Sequence, residues 1–371
     1  MTIAFLYLNA LSSVGGIQKF NTNIITALDA IGTEQNHNIR LLSLHDTEIC
    51  ERRNIKFTSA KHSKFLFLIY SISALFKSDK LFLGHCNLAF PITLLNKYIF
   101  KKQIYLFVHG IEVWQPLPTH KRKAINYCDK LLSVSEFTAQ KASKALSISR
   151  NKFTIFYNTL PLDNPFTIAT QKPEILMKRY GLKFNDLLLL TITRLSYTEK
   201  NKGYDKVIQA LPQLLVKYPN LKYILAGKVD TSEKERILKL IKDLGVEDAV
   251  KLVGFVAENE LVSHYQLCDL FIMPSTKEGF GIVFIEATAC GKPVIGGNKD
   301  GSVEALLQGQ TGCLIDPENS LEISDAIDDY FSQQWPAHLT NSESLSKVTI
   351  ENFGFEKMKQ NLEAIIPIAH S

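Results

Sequence analysis

The sequence predicts an α/β protein built from two doubly wound parallel-sheet domains, on three observations. Short apolar runs rich in β-branched and aromatic residues alternate with amphipathic stretches of about 10–15 residues, the rhythm of strand–helix–strand units. The rhythm runs twice, and Pro161, Pro165 and Pro173 interrupt it in between. At 371 residues the chain is also too long for one typical core. An N-terminal domain is therefore expected over residues 1–165, a C-terminal domain over 166–350, and a closing helix over 351–371.

In the first half the runs at Ile3–Leu8, Ile39–Leu44, Lys80–His85, Gln103–His109, Lys130–Ser135 and Phe153–Asn158 are expected as strands. Helices are expected between them at 17–31, 64–77, 88–99, 119–128 and 136–147. The second half gives strands at Leu187–Leu195, Lys222–Gly227, Lys251–Phe255, Asp269–Ser275, Lys292–Gly296 and Cys313–Ile315. Its helices fall near 204–217, 232–244, 258–267, 282–290 and 320–331. The tail, 352–366, reads as one helix with Phe353, Phe355, Met358, Leu362 and Ile365 near one face. Lys64–Lys77 is apolar between two lysines but too short to span a bilayer. It is either a core-packed helix or one lying in a membrane interface with its lysines at the head groups.

The composition, 46% apolar and 21% charged, is ordinary for a globular protein. Ile3–Leu8 lacks the basic flank and length of a secretory leader, and no apolar run reaches the ~18 residues of a membrane span. The cysteines (Cys50, Cys86, Cys128, Cys268, Cys290, Cys313) show neither C-x-x-C nor zinc spacing, so reduced core thiols in a cytoplasmic protein are expected. Residues 1–165 hold 20 Lys and Arg against 10 Asp and Glu, a net +10, and residues 166–371 hold 22 against 27, a net −5. A basic first half suits an anionic partner: nucleic acid, a membrane surface or a charged substrate. No nucleic-acid-binding motif accompanies it.

The chemistry concentrates in Lys277-Glu278-Gly279-Phe280-Gly281-Ile282-Val283-Phe284-Ile285-Glu286. A strand precedes it and a helix follows, so Glu278 falls on the loop and Glu286 about two turns into the helix. In open α/β sheets, ligands collect at the carboxyl ends of the strands, where glycines let backbone N–H groups approach a phosphate. A carboxylate there repels phosphate and is suited to hydroxyls, Glu278 on a sugar and Glu286 on a ribose. The plainer reading is that Glu278 complements a helix dipole.

Four other loops qualify. Asn9–Gly16 follows the first strand, and Gly15 and Gly16 allow close approach at a helix N-terminus, or form a plain turn. Arg194 and Lys202 bracket a polar loop, as two cations neutralising a diphosphate would, or as solvated surface charges. His109, followed by Gly110 at the end of its strand, is placed to donate to a substrate hydroxyl or to serve structure. Phe255, after Gly254, is placed to flank a nucleobase, and Lys299–Glu304 is a polar loop beside the same region.

Taken in order, these motifs, together with Gly291-Lys-Pro-Val-Ile-Gly-Gly297, resemble the retaining glycosyltransferases of the E-x7-E type (glycosyltransferase group 1, family 4). The resemblance covers about residues 3–330 and is strongest over 190–316; its wording is similar to that of bacterial enzymes that build surface polysaccharides, lipopolysaccharide or capsule, on lipid carriers. It implies the GT-B fold: two Rossmann-like domains with an interdomain cleft, acceptor on the N-terminal domain, donor on the C-terminal one. It further implies transfer of a hexose from GDP-mannose or a UDP-hexose to a glycan acceptor, lipid-linked, with retention of configuration and no metal or other cofactor. No D-x-D motif is present.

On the same resemblance, Glu278 contacts the donor sugar, Glu286 the ribose, and Arg194 with Lys202 the diphosphate. Backbone N–H groups at Phe280, Gly281, Ile282 and Val283 assist at the pyrophosphate, Gly16 faces the leaving group, Gly15 and Gly279 join the donor-binding residues, and His109 meets the transferred sugar. Ser135 matches a recurrent position to which the sequence assigns no role, and Lys121-Arg122-Lys123 belongs to no general motif. The implied location is cytoplasmic, peripheral on the inner face of the membrane. Competing readings are a non-catalytic nucleotide-sugar-binding or membrane-scaffolding module, a GT-B-fold epimerase, and a phosphorylase-like enzyme, for which no cofactor-holding lysine is identifiable. Nucleotide, sugar, acceptor, linkage and oligomeric state are not written in the sequence.

Overall fold

The computed structural model describes residues 1–12, 15–48, 54–197 and 199–366. They form two compact units, Met1–Leu162 with the tail from Phe353, and Asp163–Asn352.

The first unit runs β1 (Thr2–Tyr7), α1 (Gly16–Glu34), β2 (Asn38–Ser43), β3 (Ile55–Ser59), α2 (Lys64–Lys77) and β4 (Lys80–Leu83). It continues α3 (Ala89–Leu95), β5 (Gln103–Val108), α4 (Thr119–Asn126), β6 (Lys130–Ser133), α5 (Glu136–Leu146) and β7 (Phe153–Ile155). The strands form one parallel sheet in the order β3-β2-β1-β4-β5-β6-β7. β1 lies inside the sheet and is buried from Ile3 to Tyr7, as the unbroken apolar run Ile-Ala-Phe-Leu-Tyr requires. Leu6, Leu83 and Leu106 face one apolar layer, and Phe5, Phe82 and Phe107 the other.

Two expectations are corrected here. β3, unforeseen, is an edge strand whose residues are only partly covered. The tail helix starts three residues later than expected: Gly354 separates α13 (Ser342–Phe353) from α14 (Phe355–Ile365), which packs with the first unit. Phe355, Met358 and Leu362 join the Phe5 layer. α2 buries Phe67, Ser71, Ala74 and Leu75, as the core-packed reading expects, and leaves Phe65 (71%) and Phe76 (69%) exposed. No helix among the described residues is long and apolar enough to cross a membrane.

The second unit runs α6 (Glu174–Arg179), β8 (Leu187–Ile192), α7 (Tyr204–Lys217), β9 (Leu221–Ala226), α8 (Thr231–Asp243), β10 (Val250–Gly254), α9 (Leu261–Leu267) and β11 (Leu270–Met273). It continues α10 (Ile282–Ala289), β12 (Val294–Gly297), α11 (Ser302–Ala305), β13 (Cys313–Ile315) and α12 (Ser320–Phe331), before α13. The six parallel strands order as β10-β9-β8-β11-β12-β13, around a core that includes Leu189, Leu211, Leu225 and Ile272. Helices α6 and α13 were not anticipated.

Each sheet has one place where strand order reverses: β1 beside β4 in the first unit, β8 beside β11 in the second. Loops leaving the carboxyl ends of such a pair diverge to opposite faces and leave a crevice, the usual ligand position in this architecture. Of the cysteines, Cys86, Cys128, Cys268 and Cys290 are buried free thiols, and Cys50 lies outside the described residues.

Candidate active site

In the second unit the loop after β8 carries Arg194 and Lys202, and the loop after β11 carries Glu278, so the predicted residues flank the reversal point. The two loops are stitched together. Thr276 donates its N–H to Asn201 O at 2.9 Å, and Lys202 Nζ forms an ion pair with Glu278 Oε1. Both side chains are largely shielded, at 15% and 16% exposure. Gly203 makes this approach possible: its φ is +76°, and a Cβ there would lie 2.1 Å from Pro274 O. Arg194, by contrast, is 63% exposed and pairs with Glu199 on its own loop. Thr198, between them, lies outside the described residues.

α10 starts directly after Gly281, which has no side chain to cap it, and carries no acidic residue in its first turn. The N–H groups of Ile282 and Val283 open that turn and have no partner within the helix. Together with the helix dipole they offer donors to an anion. Phe280 is buried, and Phe255, beyond β10, is 60% exposed. Glu286 lies inside α10 and is only 3% exposed; Tyr265 Oη on α9 donates to its Oε2 at 2.6 Å.

One residue that sequence reasoning left without a role organises this region. Asp300, 2% exposed, accepts from Ser275 Oγ and the Glu278 N–H, both at 2.7 Å on Oδ2, and from the Ser302 N–H at 2.9 Å on Oδ1. Gly301 returns a bond to Glu278 O at 3.0 Å, and a Cβ on Gly301 would lie 2.2 Å from Gly279 O. Asp300 therefore fixes the backbone of Glu278. The available signal was Asp300-Gly301-Ser302 itself, whose Asp-to-backbone bond two residues on is a common turn device. Tyr265 gave no signal, because its partner lies 21 residues away.

Burial pushes the Asp300 carboxyl up to about 6; hydrogen bonds from Ser302 and Glu278 oppose the shift, and the Glu278 charge adds to it. A folded pKa above the unfolded value of ~3.9 means that this group favours folding fully below that value, a contribution lost as pH rises through about 6. The ionised form, which accepts from Ser275 and Glu278 on one oxygen, is lost in the opposite direction. We expect kcat/KM to fall as pH drops through about 6, and the Tm difference between wild type and Asp300→Asn to change over the same window. A flat rate profile across that window would remove Asp300 from loop positioning.

In the first unit, His109 follows β5, and its ring Nε2 lies 2.9 Å from Gly84 O. A carbonyl only accepts, so Nε2 carries the proton; burial lowers the pKa, against the opposing Glu112 charge, and keeps the ring neutral. Nδ1 is then an acceptor, which corrects the expectation that His109 donates to a hydroxyl. Glu112 accepts the His109 N–H at 2.5 Å, and Phe20 packs edge-on at 4.9 Å between centroids. Gly15 and Gly16 open α1, while Ser13 and Val14 before them lie outside the described residues. Asp46 steadies the start of that loop by accepting the N–H groups of Ala10, Leu11 and Ser12. Ser135 turns out to be the N-cap of α5, accepting from the Thr138 N–H at 3.0 Å. The structure thus joins Lys202, Glu278 and Asp300 in one loop assembly of the second unit. His109, Gly15 and Gly16 stand in the first unit.

Residues 174–347 match the family model described as Glycosyl transferases group 1. Over 242 residues, 62% of this chain, the sequence is 30% identical to the GDP-mannose-dependent alpha-(1-6)-phosphatidylinositol monomannoside mannosyltransferase of Mycolicibacterium smegmatis. That match spans 60% of the relative's length, and 58% in the corresponding Mycobacterium tuberculosis protein, so the chain spans about three fifths of these curated relatives. Among solved structures, Anabaena Alr3699/HepE in complex with UDP superposes with a TM-score of 0.79 at 19% identity, covering 99% of both chains. A glycosyltransferase from Rickettsia africae gives 0.77 at 21% identity, covering 100% of this chain and 99% of its own. At such identities the likeness is one of fold. Residues 174–347 thus carry a likeness to the group 1 glycosyl transferases, and the chain has the GT-B fold of two doubly wound Rossmann-like domains.

Proposed function

We propose that the chain is a retaining glycosyltransferase that moves a hexose from a nucleotide sugar to a glycan acceptor on a lipid, in bacterial surface polysaccharide synthesis. The observation that carries this reading is the shielded Lys202–Glu278 pair bridging the β8 and β11 loops beside the open N-terminus of α10. A cation and helix amides suit a diphosphate, and a fixed carboxylate beside them suits sugar hydroxyls. The mycobacterial relative is GDP-mannose-dependent and HepE holds UDP, so GDP-mannose and UDP-hexoses are the donors to try first.

In this mechanism the sugar–phosphate bond breaks with its electrons on the diphosphate. Lys202, Arg194 and the α10 amides stabilise that charge without a metal. The departing oxygen takes the proton of the incoming hydroxyl, which attacks from the same face, so configuration is retained. Glu286 holds the ribose, Phe255 flanks the base, and His109 Nδ1 accepts from a sugar hydroxyl. The basic N-terminal sequence and the exposed Phe65 and Phe76 of α2 support peripheral attachment to an anionic membrane, on the cytoplasmic face.

The test is a panel of nucleotide sugars, read as released UDP, GDP or ADP, with and without anionic vesicles carrying lipid-linked glycans. Turnover of one donor, enhanced by such vesicles, and an anomeric product of unchanged configuration are expected. Nucleotide binding without turnover on any acceptor would point to a non-catalytic binding module.

A further inference from the structure

Outside the carboxyl ends of β1, β2 and β4 in the first unit lies a cavity of about 530 Å³. It sits at that sheet's own reversal point, and its size is in the ~300–1,000 Å³ range of small-molecule sites. Its walls are mostly apolar, from Phe67 and Leu68 of α2, Leu88, and Phe90 and Ile92 of α3. Its polar rim is basic: Lys64 is the first residue of α2 and Lys121 lies in the first turn of α4.

Both placements run against the helix dipole, whose positive end disfavours lysine. Neither first turn contains an acidic residue, and α4 has no side-chain cap. Lys121 Nζ lies 3.2 Å from the neutral Asn87 Oδ1, and among the described residues neither lysine forms an ion pair. Glu112, the carboxylate whose charge is felt at nearby His85, is engaged by the His109 N–H. His45, also lining the cavity, shares a hydrogen bond with His62 between Nδ1 atoms 3.0 Å apart. Two lysines thus stand on the rim of an apolar hollow, with Glu112 nearby but neither lysine held in an ion pair among the described residues.

We infer that this cavity binds an apolar chain ending in a phosphate, the chain against Phe67, Leu68 and Ile92 and the phosphate between Lys64 and Lys121. That the ligand is the anchoring end of the acceptor rests on the glycosyltransferase reading; the site itself does not. Calorimetric titration of the full chain with decyl phosphate, below its micelle concentration, tests it against decanol and inorganic phosphate. Decyl phosphate is expected to bind at least about tenfold more tightly than either, since both halves of the site are then filled. Lys64→Ala, Lys121→Ala and the cavity-filling Leu68→Trp should each weaken it about tenfold, with melting curves like wild type, and Lys97→Ala should not. Equal binding of decanol, equal binding of inorganic phosphate, or indifference to all three substitutions would overturn the inference. Parallel titration with UDP and GDP separates the two readings. Decyl phosphate bound without either nucleotide would sink the glycosyltransferase proposal and leave this site standing; nucleotide bound without decyl phosphate would do the reverse.

Discussion

Lys202→Ala is expected to lower kcat/KM by at least ~100-fold, the scale of losing one transition-state donor. The magnitude follows from where the ammonium sits. At 15% exposure it acts through little water, so its attraction to a departing diphosphate is weakly screened. The same substitution strands Glu278, so a loss of stability is expected alongside. Lys202→Ala/Glu278→Gln separates the effects: the melting temperature should partly recover while turnover does not. Arg194→Ala should cost less, about tenfold, because its guanidinium is 63% exposed, salt-screened and held by Glu199. Near-normal turnover in Lys202→Ala would take this lysine out of the mechanism.

Glu286→Ala should mainly weaken nucleotide binding, by about tenfold or more, with a smaller change in kcat, because a ribose is held alike before and during reaction. A second loss follows from the buried Tyr265 Oη, whose acceptor disappears; an unpaired buried hydroxyl costs about 1–3 kcal/mol. Tyr265→Phe provides the comparison, since it removes the hydroxyl and leaves the carboxylate. If Glu286 serves only packing, both variants should melt lower and bind UDP or GDP as wild type does. Calorimetry and thermal melts together decide between the roles.

The sheets were readable because fully buried parallel strands are continuous apolar runs, as in Leu187–Ile192, and because helices such as Tyr204–Lys217 keep one apolar stripe. β3 escaped notice because an edge strand is covered on fewer sides and needs less apolar sequence: Ile55-Lys-Phe-Thr-Ser59 has two large apolar residues. α13 has few large apolar residues, and it runs to Phe353, so Gly354 delays the expected tail helix to Phe355. In the site, residue types and loops were legible; partners were not. The donor state of His109 depends on Gly84 O, 25 residues away, and the fixing of Glu278 on Asp300, 22 residues away. Such pairings arise from chain reversal in three dimensions and leave no local pattern.

Gly203 and Gly301 have a bearing on how this protein could be re-engineered. At each, one loop rests its main chain on another's, 2.1 Å and 2.2 Å being the separations a β-carbon would be forced to accept. The segments after β8, β11 and β12 are thus interlocked parts, and grafting a single one from a homologue would leave mismatched surfaces behind. Swaps of donor preference are better sought in side chains that overhang this frame, such as the exposed Phe255, than in altered loop lengths. A library that transplants all three segments as a cassette should keep folded members where single-loop exchanges do not.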